Sequence, residues 1–191
     1  MKIILASNSP RRRELLGDLG LDFEVRVLPG IDESYPSNLP TEEIAKYLSI
    51  LKAEPYRQTL ADDELVITAD TVVVLDNRVM GKPSDEAEAR EMLRSLSGNT
   101  HKVITGVAVT TAERQTAFRV VTDVTFAVLD DAEIDYYIER FRPYDKAGAY
   151  GIQEWIGCIG ISHIDGSFYN VMGLPVQRLY QVLKSYGVRP Y

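Results

Sequence analysis

The sequence predicts an α/β fold built on a mixed sheet flanked by helices. Strand-like and helical segments alternate along the 191 residues, which is the order expected when helices pack on a sheet. Two long strand-like segments, residues 101–111 and 115–129, follow each other closely. Because strands joined by a short connection pair antiparallel, the sheet is predicted to be mixed rather than purely parallel.

The chain begins with a strand, a polar turn and a helix. Residues 2–6 are apolar and of strand length. Ser9 is a good N-cap, Pro10 suits the first helical position, and Gly20 is predicted to end the helix. The first backbone N–H groups of a helix have no partner within it, so this turn is a candidate anion site.

A second strand, a loop and a second helix follow. Residues 22–28 have strand character, and residues 29–40 are rich in the proline and glycine typical of loops. Thr41 is the predicted cap of a helix that ends just before Pro55, because the residue preceding a proline disfavours helical geometry.

The middle of the chain is predicted to form a hairpin and a third helix. Residues 64–75 are strongly β-branched, and an Asp-Asn turn leads back into residues 78–80. Ser84 is the predicted cap of a helix over residues 85–96.

The last third of the chain contains two further predicted helices. Residues 130–141 and 174–186 have helical character, whereas the glycine-rich residues 144–173 are predicted to be irregular. Because a length of 191 residues fits one domain, or one sheet with a small lobe, residues 1–191 are predicted to form a single domain.

Charge and composition exclude several classes of partner. The formal net charge is -7, whereas duplex nucleic acid is bound through a basic footprint. No apolar run approaches the length of a membrane span, and the apolar start is too short for a signal peptide. Cys158 is the only cysteine, so no internal disulfide can form. We therefore expect a cytoplasmic protein with no membrane partner and no duplex nucleic-acid partner.

The densest basic cluster comprises Arg11, Arg12 and Arg13 at the first predicted helix. On an acidic protein, a basic cluster beside a turn suits a small anionic ligand. Since successive helical residues point about 100° apart, the three side chains cannot all face one ligand. We expect Arg12 and Arg13 to serve it; the simpler alternative is a capped helix with solvated arginines.

Asp70 is the strongest single candidate for chemistry. It interrupts the apolar strand of residues 64–75 and is followed by Thr71. A buried charge is costly unless it is paired or bound to metal, so a site is favoured over a strand-end acid satisfied by backbone donors. Lys82, on a Gly-Lys-Pro turn, is predicted to be a rigidly placed phosphate ligand.

Glu33, Lys52 and Gln153 are weaker candidates when each is taken alone. Glu33 lies in a loop where acids are usually solvated, and Lys52 near a helix end also complements the helix dipole. Gln153 stands out in the glycine-rich stretch because a side-chain amide can donate and accept at once. His101 and His163 are too isolated for a zinc site.

Seven short motifs occur in order along the chain. They start at Ser7 (SNSPRR), Ala69 (ADTVV), Gly81 (GKP), Leu96 (LSG), Thr105 (TGV), Ala147 (AGAYGIQ) and Asn170 (NVMGLP). Together they resemble the Maf family of nucleotide pyrophosphatases, often described as septum-formation inhibitors. The resemblance runs from residue 3 to about residue 183, so it is far more specific than any single motif.

The resemblance implies a fold and an activity. The fold is related to that of inosine-triphosphate pyrophosphatases, with an elongated twisted sheet and two lobes around a central cleft. The activity is hydrolysis of nucleoside triphosphates to the monophosphate and pyrophosphate, and the assembly is a homodimer. The resemblance also implies Mg²⁺ or Mn²⁺, because carboxylate, water and phosphate are the hard oxygen ligands that these cations prefer.

Carried over residue by residue, the resemblance gives each candidate a role. Asp70 would accept the proton of the attacking water, and Glu33 and Asp70 would hold the metal. The residues implied to line the phosphate and metal site are Ser9, Arg13, Glu33, Lys52 and Lys82, of which Glu33, Lys52 and Lys82 would act with Asp70 in catalysis. The residues implied in base choice are Arg12, Thr71 and Gln153.

Gln153 favours dTTP and UTP, with modified pyrimidine triphosphates as further substrates. A pyrimidine dione presents an N3–H donor between two carbonyl acceptors, which an amide complements. The related branch that acts on 7-methyl-GTP carries Trp near Arg12 and Glu in place of Gln153, and this chain has neither. Two alternatives remain open: that 7-methyl-GTP branch, and a non-catalytic nucleotide-binding regulator of septum formation.

Overall fold

The computed structural model describes residues 1–191 and contains seven strands and seven α-helices. The strands are β1 (Lys2–Leu5), β2 (Phe23–Val25), β3 (Glu64–Leu75), β4 (Arg78–Met80), β5 (Thr100–Thr110), β6 (Gln115–Phe126) and β7 (Ile161–Asp165). The helices are α1 (Pro10–Gly17), α2 (Thr41–Arg57), α3 (Glu86–Leu96), α4 (Asp131–Phe141), α5 (Trp155–Gly160), α6 (Phe168–Met172) and α7 (Val176–Ser185). None of the helices combines the length and the apolar character that a membrane crossing requires.

All seven strands belong to one sheet. Its order is β2-β1-β3-β5-β6-β7, and β4 pairs with β3. Strand β1 runs parallel to β2 and β3, whereas β4 and β7 are antiparallel to β3 and β6. The turn between β3 and β4 has positive φ angles of 49° at Asp76 and 63° at Asn77, as a tight hairpin requires. The predicted mixed α/β fold is therefore confirmed.

The chain divides into two compact units. The first comprises Met1–Asp70, Thr105–Val120 and Gly173–Tyr191, and the second comprises Thr71–Ile104 and Val121–Met172. The first contains a cluster in which Ile4 and Val66 of neighbouring strands pack with Tyr56. The larger cluster of the second unit includes Leu93 of α3 and Ile138 of α4. The single domain over residues 1–191 stays a prediction.

Helix α2 is longer than predicted, because it continues through Pro55 to Arg57. Pro55 lies in the last turn, so the lost N–H hydrogen bond and the crowding of its ring against the preceding turn affect only the end of the helix. Tyr56 anchors this turn: its ring is buried, and its hydroxyl accepts from Leu28 N–H at 2.8 Å and donates to the Arg26 carbonyl at 3.0 Å. Packing of Tyr56 thus overrides the local preference to stop before proline.

Two predicted helix caps are wrong by one residue. Thr41 is already the first residue of α2, and Pro40 takes the cap position. Asp85 rather than Ser84 caps α3, since its carboxylate accepts the Glu88 N–H at 2.9 Å. A carboxylate also interacts favourably with the positive end of the helix dipole, which favours aspartate over the neighbouring serine.

The glycine-rich stretch is more regular than predicted. Residues 144–173 contain α5, β7 and α6, and β7 pairs with β6 so that Ile164 lies opposite Val124. Each of these elements has only five or six residues, too few to show a clear periodicity in sequence. Gly157 allows one of the close contacts, since a Cβ there would lie 1.8 Å from the Ile152 carbonyl oxygen.

Candidate active site

The start of α1 has the predicted serine cap. The Ser9 hydroxyl accepts the backbone N–H of Arg12 at 3.4 Å. The buried Ser7 hydroxyl accepts the Ser9 N–H at 3.2 Å, and this hydrogen bond stabilises the turn. The helix ends at Gly17 rather than at the predicted Gly20. The turn thus holds Ser9 at a helix end whose dipole favours a bound anion.

Arg12 is half-buried and held by backbone carbonyls. Its Nε donates to the Gly173 carbonyl at 2.8 Å, and its Nη1 donates to the Ala69 carbonyl at 2.9 Å. Burial lowers the pKa of the Arg12 guanidinium, and the nearby Asp70 carboxylate opposes that shift. The guanidinium is therefore fixed close to the carboxylate that the sequence singles out.

Lys52 of α2 bridges two carboxylates. Its Nζ lies 2.7 Å from Asp70 Oδ1 and 3.1 Å from Glu33 Oε2. The side chains of Lys52 and Asp70 are only 16% and 14% exposed, whereas that of Glu33 is 58% exposed. Asp70 makes no hydrogen bond through Oδ2. Pairing with lysine, not capping by backbone donors, is thus what satisfies the Asp70 charge.

Arg13 lies apart from this pair. Arg13 is exposed on α1, and its Nη2 lies 3.5 Å from Asn8 Oδ1. It makes no hydrogen bond or ion pair with Asp70 or Glu33. The first unit therefore brings together four predicted site residues, Arg12, Glu33, Lys52 and Asp70, and leaves Arg13 on the surface.

The second unit carries Lys82 and Thr71. Lys82 is exposed and makes no hydrogen bond or ion pair. It stands between Gly81, whose carbonyl accepts the Gly148 N–H at 3.0 Å, and the buried Pro83. Thr71 is half-buried in β3. The backbone on both sides of Lys82 is thus anchored although its side chain is not.

Gln153 lies in a tight turn of the second unit. The turn is closed by the Glu154 N–H, which donates to the Gly151 carbonyl at 3.0 Å. The Gln153 side chain is exposed and makes no hydrogen bond, while Ile152 beside it is buried. The amide that the family resemblance implicates in base choice is therefore exposed and has no hydrogen-bond partner in the chain.

A buried polar network supports this turn, and sequence reasoning missed it. Lys146 Nζ lies 3.1 Å from Glu154 Oε1 and 2.7 Å from Asp145 Oδ1, and its side chain is only 9% exposed. The Tyr137 hydroxyl donates to Glu154 and accepts the Gly151 N–H at 3.0 Å. Burial, reinforced by the hydrogen bond to Glu154, raises the pKa of Tyr137. The one signal in the sequence is that Lys146 and Glu154 stand at the two ends of the Ala-Gly-Ala-Tyr-Gly-Ile-Gln motif.

Two carboxylates are available for a metal ion in the first unit. Glu33 and Asp70 both reach the ammonium of Lys52. No group of three or more histidine, cysteine, aspartate or glutamate residues could hold a metal in this chain. Mg²⁺ commonly binds through one or two carboxylates plus water and substrate phosphates. The donor set therefore fits a divalent cation whose remaining ligands come from a phosphate and from water.

The chain matches one family model over nearly its whole length. The model is described as Maf-like protein, and the match covers residues 2–186. The match begins before the Ser9 turn and ends within the last ten residues of the chain, so it includes every candidate site residue named above.

Curated relatives resemble the chain along nearly all of it. A protein of Phocaeicola vulgatus is 63% identical over 183 residues, which is 96% of this chain and 95% of that protein. A protein of Parabacteroides distasonis is 58% identical over 185 residues, covering 97% and 96%. One of Bacteroides thetaiotaomicron is 57% identical over 183 residues, covering 96% and 95%. All three are named dTTP/UTP pyrophosphatase.

Solved structures share the fold at low sequence identity. The Ham1 protein of Staphylococcus aureus has a TM-score of 0.56 at 17% identity, covering 97% of this chain and 100% of that one. A HAM1 protein from Coxiella burnetii has a TM-score of 0.51 at 18% identity, covering 97% and 99%. The chain therefore shares its mixed α/β fold with these two proteins.

Proposed function

The chain belongs to the Maf-like protein family, and we propose that it hydrolyses dTTP and UTP to the nucleoside monophosphate and pyrophosphate. The relatives named for this activity are 57% to 63% identical to it over at least 95% of either chain. The observation that carries the proposal is the Lys52–Asp70 ion pair at 2.7 Å, with Glu33 on the same ammonium.

Asp70 is the proton acceptor for the attacking water. Lys52 holds Oδ1 at 2.7 Å, while Oδ2 makes no hydrogen bond. One carboxylate oxygen is therefore oriented by lysine and the other is available to a water molecule. A carboxylate fixed in this way is suited to general-base catalysis, which requires a positioned acceptor within hydrogen-bonding reach.

Cationic groups of the chain bind the triphosphate. Lys52 is placed by its pairing and Lys82 by its anchored turn, and the cap of α1 adds the neutral hydroxyl of Ser9. Arg13 joins them through its long, exposed side chain. Positive charge near the phosphate groups stabilises the charge that develops on a leaving pyrophosphate.

Glu33 and Asp70 would hold the divalent cation, Mg²⁺ or Mn²⁺. Such an ion would supply positive charge that screens the triphosphate and polarises a phosphoryl oxygen. Both carboxylates face the ammonium of Lys52, so the chain itself keeps them oriented. Lys52 also keeps the two acids from repelling each other before a cation binds.

Gln153 selects the base, together with Arg12 and Thr71. Glu154, the neighbouring acid, is occupied by Lys146 and Tyr137. The exposed group at the turn is therefore a neutral amide, which can donate and accept, and not a carboxylate, which can only accept. An amide suits a pyrimidine dione and disfavours a guanine edge with two adjacent donors.

A nucleotide panel tests the substrate assignment. The protein is incubated with Mg²⁺ or Mn²⁺ and each of dTTP, UTP, 7-methyl-GTP and the remaining common triphosphates, and depletion is followed by chromatography. The expected result is fastest loss of dTTP and UTP. Preference for 7-methyl-GTP would overturn the assignment of Gln153. Tight binding of dTTP without turnover would contradict the enzymatic function and favour a non-catalytic, nucleotide-binding regulator.

The homodimer and the cytoplasmic location stay predictions. Light scattering of the purified chain measures the first, and fractionation of cells that produce it measures the second.

A further inference from the structure

Helix α2 lies against the sheet through a face of small residues. Ala45, Ser49 and Ala53 follow each other at intervals of one helical turn, and all three are fully buried. Lys52 is adjacent to the last of them. Small residues allow a helix backbone to come close to its neighbour, so the position of α2 is set by backbone contacts rather than by bulky side chains.

The first of these contacts is made at Gly106 of β5. A Cβ built on Gly106 would lie 2.2 Å from the backbone carbonyl atoms of Ala45 and 2.2 Å from the amide nitrogen of Lys46. Those atoms belong to the helix backbone and cannot rotate away. The Thr-Gly-Val motif, which the proposed chemistry does not use, thus permits α2 to touch the strand directly.

The second contact is made by Thr68 of β3. Its buried hydroxyl donates to the Ser49 carbonyl at 2.6 Å, and the Ala108 carbonyl lies 3.5 Å away. Because side chains alternate along a strand, Thr68 and Asp70 point to the same side of β3. Lys52 lies about one helical turn beyond Ser49. The strand therefore touches the helix twice, through a hydroxyl and then through a carboxylate.

We propose that Thr68 and Gly106 are positioning residues that set the distance of α2 from the sheet, so that Lys52 reaches Asp70. The Lys52–Asp70 contact is 2.7 Å, and hydrogen bonds weaken beyond about 3.2 Å. A shift of α2 by about half an ångström away from the sheet would therefore be enough to weaken the Lys52–Asp70 hydrogen bond. The kinetic part of this inference rests on the proposed function; the placement of Lys52 does not.

The test compares Thr68→Val with Thr68→Ser. Valine has nearly the shape of threonine but no hydroxyl, whereas serine restores the donor. We expect Thr68→Val to lower kcat for dTTP about tenfold or more, with KM within about twofold, since misplacement by about 1 Å can cost a hundredfold. Thr68→Ser is expected to keep kcat within about threefold of the parent protein.

A chemical readout makes the test independent of activity. Reductive methylation of lysines, followed by mass spectrometry, reports how readily each ammonium reacts. We expect Lys52 to be modified several times faster in Thr68→Val than in the parent protein. Lys46, on the same helix and 2.7 Å from Glu43, is expected to react at an unchanged rate, because a general loosening would expose both lysines.

The matched control is Thr116→Val. The Thr116 hydroxyl bonds the Tyr186 hydroxyl at 2.9 Å in the same unit but far along the chain from α2. This variant is expected to leave both kcat and Lys52 modification unchanged. Gly106→Ala is a second probe, expected to raise Lys52 modification more than Thr68→Val does.

Two outcomes separate the inference from the proposed function. If the parent protein hydrolyses dTTP but Thr68→Val keeps full kcat and slow Lys52 modification, the positioning role is refuted while the function stands. If the parent protein has no activity but Thr68→Val still speeds Lys52 modification, the function fails and the positioning role stands.

Discussion

Lys52 and Lys82 are both proposed to bind phosphate, yet the chain holds them in opposite ways. Lys52 is 16% exposed and bonded to Asp70 and Glu33. Lys82 is exposed and unpaired, and only the backbone around it is anchored. In the first unit, the side chain of Lys52 is itself held in place by ion pairs. In the second unit, only the backbone of the turn that carries Lys82 is held in place.

The same contrast extends to Gln153. Its side chain makes no hydrogen bond, while the buried network of Tyr137, Lys146 and Glu154 supports the turn that carries it. A preordered charge favours chemistry, because no reorganisation is needed during reaction. An exposed side chain on a rigid turn, such as Gln153, is suited to selecting a ligand. We therefore expect changes in the first unit to reduce kcat and changes in the second to alter KM.

The largest effect is expected for Asp70→Asn. An amide keeps the shape of the side chain but cannot accept a proton, so kcat for dTTP should fall by about 10²–10⁴-fold. Pyrophosphate release measured under saturating dTTP gives the value. Asp63→Asn is the control, because Asp63 is a 60% exposed acid paired with Lys2 at 3.3 Å. Undiminished turnover by Asp70→Asn would remove the general-base role.

The second effect is a loss of stability at acid pH that depends on His101. Burial lowers the pKa of His101 to about 4 from an ordinary 6.5. Its Nε2 lies 2.6 Å from the Tyr150 hydroxyl, and its Nδ1 is buried without a partner. As the pH falls, His101 is protonated in the unfolded chain before it is protonated in the folded protein. Its contribution to the free energy of unfolding is therefore fully present above about pH 6.5 and is lost as the pH drops towards 4.

The size of this acid effect is about 3.4 kcal/mol at most, because the pKa of His101 in the folded protein lies about 2.5 below its ordinary value. Urea unfolding at several pH values measures it. In His101→Gln the contribution should disappear, so the free energy of unfolding should depend less on pH between about 6.5 and 4. His163 is exposed, and His163→Gln should keep the full dependence. Equal slopes in both variants would contradict the burial argument.

The third prediction sets the two lysines directly against each other. Lys52→Met leaves Glu33 and Asp70 without their shared cation and should destabilise the fold by about 1–3 kcal/mol. Lys82→Met removes an unpaired, exposed charge and should change stability by less than about 0.5 kcal/mol. Lys52→Met should also lower kcat for dTTP, whereas Lys82→Met should raise KM. Equal destabilisation by the two substitutions would show that the ion pairs of Lys52 do not stabilise the fold.

The smallest effect is expected for Tyr137→Phe. It removes the hydroxyl that joins Glu154 to the Gly151 N–H but keeps the ring. We expect KM for dTTP to rise about threefold, equivalent to roughly 0.7 kcal/mol, with kcat unchanged. Tyr136→Phe, at an exposed neighbouring position, is the control. A fall in kcat without a change in KM would show that the Gln153 turn acts in the chemical step and not in substrate binding.

Much of this architecture could be predicted from local sequence. The cap at Ser9 depends on contacts within one turn, and β3 combines strong β-branching with an Asp-Asn turn. Asp70 was recognisable because a charge inside an apolar strand requires a partner. Such signals are local, so a single chain displays them without any knowledge of its tertiary contacts.

What could not be predicted depends on residues far apart in sequence. The identity of the partner of Asp70 required the placement of α2, which Thr68 and Gly106 determine from two different strands. The support of Gln153 required Tyr137, a residue 14 positions before Gly151. Short elements such as β7 are defined by their pairing with β6 and not by their own five residues.

The most direct test of the proposed activity is the identity of the phosphorus products. Phosphorus NMR of dTTP incubated with the parent protein and Mg²⁺ resolves dTMP, dTDP, pyrophosphate and orthophosphate. We expect dTMP and pyrophosphate in equal amounts, with dTDP and orthophosphate absent. Formation of dTDP and orthophosphate would contradict it, because the cleaved bond would then be the terminal one.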